Sequence, residues 1–511
     1  MLRRIPNLLI GLAFLCASCS GSEQRATDLG GKAQALADAG DLVSARRTIA
    51  EAIAERDDIA ALYLLQGQLA LRANAPTEAY NAFSNALTLD ASNPVALQSV
   101  AQLALGFGRY EVAEETADRI LALQPEQPDA MFVKGLAQLE RHRPEVADKL
   151  AESILQRAPR DERGLALKAR VLFFQGRPDE AIERIERNSD VGTRTVLLSW
   201  TLLELYREDG RGPQAAAELA HFLATHPDDL DARLDQANVL YRIGDVSAAR
   251  AQLRAVFAKP AISPRLTDKI LGLWRFFDAD PYAGVRSPVI LDANTRHAVA
   301  RFYLEADNDG RALNLLSGDS SPTSEALRVR IAARTSSDPA IERNASTMLR
   351  RDATQCDALV ARASVRRRTD DVAGAIRDAQ RAAAECPDDP GTALELGAAF
   401  RARRDLVGEL RAYDDGLTND PQSLPLARVA FDRSLEAGKL TRAVAVARRL
   451  TRAAPSTAPG WEMLTQACSI AQDSACLTSA RAGLAKARSA LRRDPRPGEI
   501  LRGGPLGELA R

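Results

Sequence analysis

Residues 94–127 and 128–161 read as one 34-residue pattern written twice, end to end. The first copy is PVALQSVAQLALGFGRYEVAEETADRILALQPEQ and the second is PDAMFVKGLAQLERHRPEVADKLAESILQRAPRD. Small residues recur at matching places, Ala101 with Gly135 and Ala113 with Ala147, and each copy closes on a proline, Pro125 and Pro159. A fixed period of this length constrains the fold more than composition does, because it sets one structural unit and requires the units to stack.

Within a copy the pattern is helical. Leu97, Val100, Ala101 and Ala104 recur three and four apart, which gathers them on one helix face. A turn follows at Gly108 and Arg109. Ala113, Ala117 and Ile120 then repeat the period until Pro125, which cannot donate the backbone bond a continuing helix needs. Small residues let the two helices approach closely. A single hairpin cannot bury its apolar face, so neighbouring copies supply each other's core.

Period and positions together resemble the tetratricopeptide repeat, a helical-hairpin family. Steps of 34 from Ala26 hold the register through starts at Ala60, Pro94, Pro128, Glu162, Val196 and Leu230, giving seven copies over residues 26–263. The small residue of the second helix falls at Ala45, Ala79, Ala113, Ala147, Ala181, Ala215 and Ala249, and turn glycines at Gly40, Gly108, Gly176, Gly210 and Gly244. The register returns at Cys356 with starts at Pro390, Leu424 and Ala458, closing prolines at Pro387, Pro421 and Pro455, and the family's aromatic at Trp461, giving four copies over 356–491. Glu409 departs from the pattern by standing where the second helix needs a small residue. The resemblance implies an all-α, right-handed superhelical solenoid of about 13 helix-turn-helix hairpins.

A length of 511 residues would otherwise suggest several globular domains. Aromatics are only 5% and long strand-like alternation is absent, as a helical array requires. The 68 basic and 68 acidic side chains cancel, so nothing in the electrostatics favours a nucleic-acid partner. Charge is uneven along the chain, net −8 over residues 19–349 and +6 over 350–511, which reads as a salt-laced helical surface.

At the N-terminus, Arg3 and Arg4 precede an apolar run from Leu8 to Ala17 that is too short to span a bilayer and suits an export signal. Cys16-Ala17-Ser18-Cys19 resembles a bacterial lipobox, with Cys16 where leucine is commonest. This implies a lipoprotein signal peptide over 1–18, lipidation of Cys19, a tether over 19–25 and, since Ser20 rather than Asp follows, sorting to the outer membrane of a Gram-negative cell, facing the periplasm. The alternative is an ordinary cleaved signal. Residues 264–355 hold degenerate helical repeats: one hairpin from about Arg265 through Trp274, one from Ala293 to Leu316 and a third starting near Ser324. The Gly- and Pro-rich residues 492–511 read as a loose C-terminal tail.

Catalytic and metal constellations are not found. His142, His221, His226 and His297 fall at unrelated places, and there is no phosphate-binding glycine loop, so neither an enzyme nor a cofactor is expected. The remaining cysteines form two local pairs. Cys356 and Cys386 sit where the start and end of one hairpin lie side by side; Cys468 and Cys476 flank the turn of another. In an oxidising compartment both pairs suit structural disulfides, the alternative being four buried thiols.

Tetratricopeptide solenoids present the first helix of each hairpin to a concave groove. The matching positions here are Phe132, Arg170, Phe173, Trp200, Tyr241, Arg242 and Phe276, and rings interspersed with arginine suit an extended ligand or fill gaps between copies. Truncating Trp200 or Tyr241 is therefore expected to weaken capture and spare the fold. A carboxylate-gripping subfamily uses Lys and Asn in these helices; here Asn238 is present but Leu234 replaces the Lys. The expected function is a non-enzymatic interaction scaffold of the cell envelope, binding proteins or peptides in the groove and resembling repeat lipoproteins of exopolysaccharide export, including the PEP-CTERM systems. Alternatives are a direct polysaccharide binder and a pilus or outer-membrane protein assembly factor.

Overall fold

The structure, a computed structural model, describes residues 8–73, 75–190, 194–259, 270–272, 291–491 and 494, with side chains from residue 21 on. All regular structure among them is α-helix. Two compact units divide the chain, one reaching to Phe222 and the other spanning Leu223–Arg496. The first runs α1 (Leu8–Asp38), α2 (Leu42–Glu55), α3 (Ala60–Arg72), α4 (Pro76–Leu89), α5 (Pro94–Gly106), α6 (Tyr110–Leu123), α7 (Pro128–Glu140), α8 (Pro144–Arg157), α9 (Glu162–Phe174), α10 (Pro178–Glu186) and α11 (Val196–Glu208), with α12 (Gly212–Thr225) at the division. The second holds α13 (Leu230–Arg242), α14 (Val246–Phe257), α15 (Ala293–Glu305), α16 (Asp309–Leu316), α17 (Pro322–Thr335), α18 (Pro339–Arg351), α19 (Cys356–Arg368) and α20 (Val372–Glu385). It continues through α21 (Pro390–Ala402), α22 (Leu406–Asn419), α23 (Leu424–Glu436), α24 (Leu440–Ala453), α25 (Ala458–Ile470) and α26 (Ser474–Ser489).

First helices start at Ala60, Pro94, Pro128, Glu162, Val196, Leu230, Cys356, Pro390, Leu424 and Ala458, the starting places of the period itself. Local chemistry explains this regularity. Asn93, Asp161 and Asp229 cap first helices by accepting from backbone N–H groups of the first turn, and Asp41, Asp245, Asp371, Asp405 and Asp473 do the same for second helices. Between the helices of a copy the chain takes one left-handed residue. Gly108, Gly176, Gly210, Gly244 and Gly438 fill that place, whereas His142, Asp370, Arg404 and Gln472 adopt the same positive φ without glycine's freedom.

The alanines of the second helices, Ala45 to Ala249 at the repeat spacing, are fully buried, and the glycines opposite make room for rings. A Cβ on Gly67 would meet Phe83 at 2.7 Å, and one on Gly397 would meet Tyr413 at 2.1 Å. Glu409, in the place of a small residue, is 1% exposed. Its carboxylate takes Arg401 at 2.6 Å and Arg433 at 2.8 Å and accepts from the Tyr413 hydroxyl at 3.2 Å. Burial alone would push this carboxyl up, but the hydrogen bonds from Arg433 and Arg401 outweigh it and hold it below its usual range. A charge is thus accommodated where the pattern asks for alanine, because two guanidinium groups arrive with it.

Two segments differ from the sequence expectation. The copy Pro322–Gln355 is a regular hairpin in register with those that follow, one period ahead of Cys356, and the shortened copy is the one before it, whose second helix α16 has only 8 residues. Residues 19–25 are helical within α1, and contain no proline to interrupt it. Arg265 and Trp274 lie outside the described residues, as does most of the tail.

Candidate interaction groove

In the first unit the first helices carry the expected positions. Phe132 and Trp200 are 7% and 4% exposed, Phe173 is half-buried, and the Trp200 ring meets Phe222 of α12 edge-on at 5.5 Å. The expectation that Trp200 could be truncated without disturbing the fold is corrected by this packing: the ring rests on the second helix of its own copy. Polar groups share the same helices. Arg170 is desolvated, which lowers its pKa against the opposing pull of Glu208 and Glu140, and its Nε is buried without a hydrogen-bond partner. Burial raises the Glu208 carboxyl, and Glu140 adds to that rise while Arg170 opposes it. Glu140, Arg170 and Glu208 sit on α7, α9 and α11, so three successive copies contribute to one electrostatically coupled cluster.

The sequence reading missed a recess of about 450 Å³ at α5, lined by Val95, Gln98 and Gln102 with Gln124, Gln127 and Asp129. Gln102 Oε1 there is buried with no partner. The signal was available, since Gln98 occupies the place that Phe132 and Trp200 hold in their copies and Gln102 that of Arg170. Glutamine carries neither the ring nor the charge that marks these places in those copies.

In the second unit Tyr241 is 6% exposed, and burial pushes its hydroxyl up to about 12 against Arg250 and Arg254. Its truncation, like that of Trp200, removes packed area. Arg242 donates through Nε to Asn238 Oδ1 at 3.1 Å and through Nη1 to the carbonyls of Ser456 at 3.1 Å and Ala490 at 2.7 Å. Phe276 lies outside the described residues.

Farther along, first helices are stitched by charge. The Arg330 guanidinium of α17 reaches Asp357 of α19 at 2.7 Å and Asp389, the cap of α21, at 2.6 Å, while Arg301 of α15 reaches Asp357 at 2.6 Å. Burial would raise the Asp389 carboxyl, but the Arg330 charge and its hydrogen bonds hold it at about 2. A Cβ on Gly391 would fall 1.8 Å from Arg330 Nη2, so glycine there leaves the guanidinium its place.

Both cysteine pairs lie within single hairpins. Cys356 and Cys386 have Cα atoms 6.4 Å apart and bonded sulfurs, and Cys468 and Cys476 have Cα atoms 5.6 Å apart and bonded sulfurs. The first pair sits beside the Arg330 cluster, because Cys356 precedes Asp357 and Cys386 lies in the loop ending at Asp389.

The family model "Tetratricopeptide repeat" matches residues 31–94, 101–162 and 201–261. No curated protein matches the chain. Among solved structures, a tetratricopeptide repeat protein from Parabacteroides merdae is 20% identical over 48% of this chain and 98% of its own, with a TM-score of 0.38. The thermophilic TPR protein TTC0263 of Thermus thermophilus is 23% identical over 36% of this chain and 99% of its own, with a TM-score of 0.32. PilW, titled a widely conserved type IV pilus biogenesis factor, is 16% identical over 40% and 96%, with a TM-score of 0.32. Hairpins, register and family match agree that this all-α chain carries tetratricopeptide repeats.

Proposed function

We propose that the chain is a non-enzymatic scaffold for protein–protein interaction in a bacterial cell envelope, anchored by lipid on Cys19, and that partner segments dock along the first helices of the first unit. One observation carries the docking surface: the α5 recess and the α7–α9–α11 cluster hold buried polar atoms, Gln102 Oε1 and Arg170 Nε, that the protein itself leaves without hydrogen bonds. Such atoms cost about 1–3 kcal/mol each when unsatisfied, and a peptide backbone supplies both donors and acceptors. The envelope reading is supported by Arg3 and Arg4, the apolar run and the cysteine that follows it. Within the envelope, assembly of an export complex such as that for exopolysaccharide is the preferred role.

The test places a photo-cross-linking amino acid at Gln98 in living cells and identifies what is captured, with N-terminal peptide mass spectrometry on the same material. A defined set of envelope proteins and a mature terminus at an acylated Cys19 are expected. Capture of polysaccharide alone would replace the scaffold with a glycan binder, capture of pilus or outer-membrane assembly proteins would redirect the pathway, and a free Ser20 terminus would remove the anchor.

A further inference from the structure

Helix α26 ends on α13, an element far earlier in the sequence. Asn238 Nδ2 donates to Leu491 O at 3.0 Å, across 253 residues, and Arg242 Nη1 donates to Ala490 O at 2.7 Å. Arg242 also binds the loop ahead of α25, through Nη1 to Ser456 O at 3.1 Å and through Nη2 to Ser456 Oγ at 3.2 Å. Asp494 closes the arrangement by accepting from Ser456 N at 3.0 Å and from Ser456 Oγ at 2.9 Å. Leu491 is buried.

The chemistry of these contacts is that of a ligand site. Asn238 and Arg242 lie four residues apart on one face of α13, at places that in the first unit carry Gln102 and Arg170 and, one turn on, Glu140 and Glu208. Their bonds to the C-terminal segment go to main-chain carbonyls. Helix α26 stops at Ser489 and Ala490 turns extended, so these carbonyls have no helical donor of their own. Because Asn238 and Arg242 read backbone carbonyls, another segment presenting carbonyls in the same geometry can take those bonds, while the buried Leu491 side chain and the Asp494 carboxylate favour the chain's own segment.

We propose that the segment carrying Ala490, Leu491 and Asp494 is a tethered occupant of the α13 face, an internal strap that an incoming segment must displace before it can bind there. The consequence for partners rests on the scaffold reading above; the strap itself does not. A covalently tethered segment acts at an effective concentration on the order of millimolar. A competitor is then weakened by one plus the ratio of strapped to open molecules.

The experiment uses the full chain and a fluorescein-labelled synthetic peptide of residues 489–496, read by anisotropy. Leu491→Asp ejects the buried side chain and opens the site. The peptide is expected to bind Leu491→Asp at least ~10-fold more tightly than wild type, and adding Arg242→Ala should abolish that gain. Circular dichroism accompanies each measurement; should Leu491→Asp lose helicity, Asp494→Ala, which removes the bonds to Ser456, replaces it. Equal affinity of the folded open variant and wild type, or no binding to a folded open variant, overturns the strap. The probe is the chain's own segment, so the result stands whether or not the Gln98 cross-link finds a cellular partner.

Discussion

Arg330→Met tests whether charge, rather than apolar packing, joins the copies around α17, α19 and α21. Methionine keeps most of the stem's volume and removes the guanidinium that bridges Asp357 and Asp389. The Asp357 side chain is fully buried and that of Asp389 nearly so, so both would lose a partner in a place where water cannot replace it. Breaking a buried pair from one side costs about 3–5 kcal/mol; Arg301 remains on Asp357 and the Gly391 N–H on Asp389, which places the expected loss near ~3 kcal/mol. The loss should depend on pH. Asp389 is held at about 2 from an ordinary 3.8, so its contribution of about 2–3 kcal/mol is complete above pH ~4 and disappears as pH falls toward 2. In Arg330→Met the carboxyl is no longer held down, and the gap between variant and wild type should narrow by that amount between pH 7 and pH 2. Urea unfolding by circular dichroism gives the gap, and hydrogen exchange over residues 322–402 locates it, since repeat arrays lose structure locally. A gap below ~0.5 kcal/mol at pH 7, or one of equal size at both pH values, would refute the reasoning.

Trp200→Ala should destabilise the first unit by about 3–5 kcal/mol and lower the melting temperature, because it empties a packed site against Phe222; an unchanged melt would show the ring to be dispensable. Asp370→Gly and Arg404→Gly should each stabilise by about 0.5–1 kcal/mol, since glycine adopts their φ of 66° and 63° without a Cβ penalty, and loss of stability in both would contradict that account. Non-reducing peptide mapping of protein from its native compartment should recover Cys356 with Cys386 and Cys468 with Cys476, and reduction should cost about 3–4 kcal/mol for the longer loop; free thiols or crossed pairs would count against both bonds.

Helix boundaries were legible because turn and cap residues mark them locally: Gly108, Pro125 and Asp161 say where helices stop and start without reference to anything distant. The copy at Pro322 was equally legible, one period ahead of Cys356, and was obscured by the shortened copy before it. Burial at the groove was not legible. Phe132, Trp200 and Tyr241 hold groove places, but whether a ring there meets solvent depends on neighbours that periodicity does not specify. The bonds from Asn238 and Arg242 to Ala490 and Leu491 join segments about as far apart as the second unit allows, and no local pattern encodes them. Arg330, Asp357 and Asp389 looked like members of a solvated surface, since composition counts charges without showing which are enclosed.

Repeat arrays are commonly treated as interchangeable parts, able to gain or lose a copy by recombination because each meets its neighbours through the same surface. The copy from Pro390 is an exception. Glu409 takes Arg401 from its own copy and Arg433 from the next, so transplanting the Pro390 copy alone would leave the buried carboxylate with one of its two guanidinium partners, while moving the two copies together would carry both counterions along. The heritable module in this stretch is therefore a pair of copies, and related chains that differ in length should differ here by two periods rather than one.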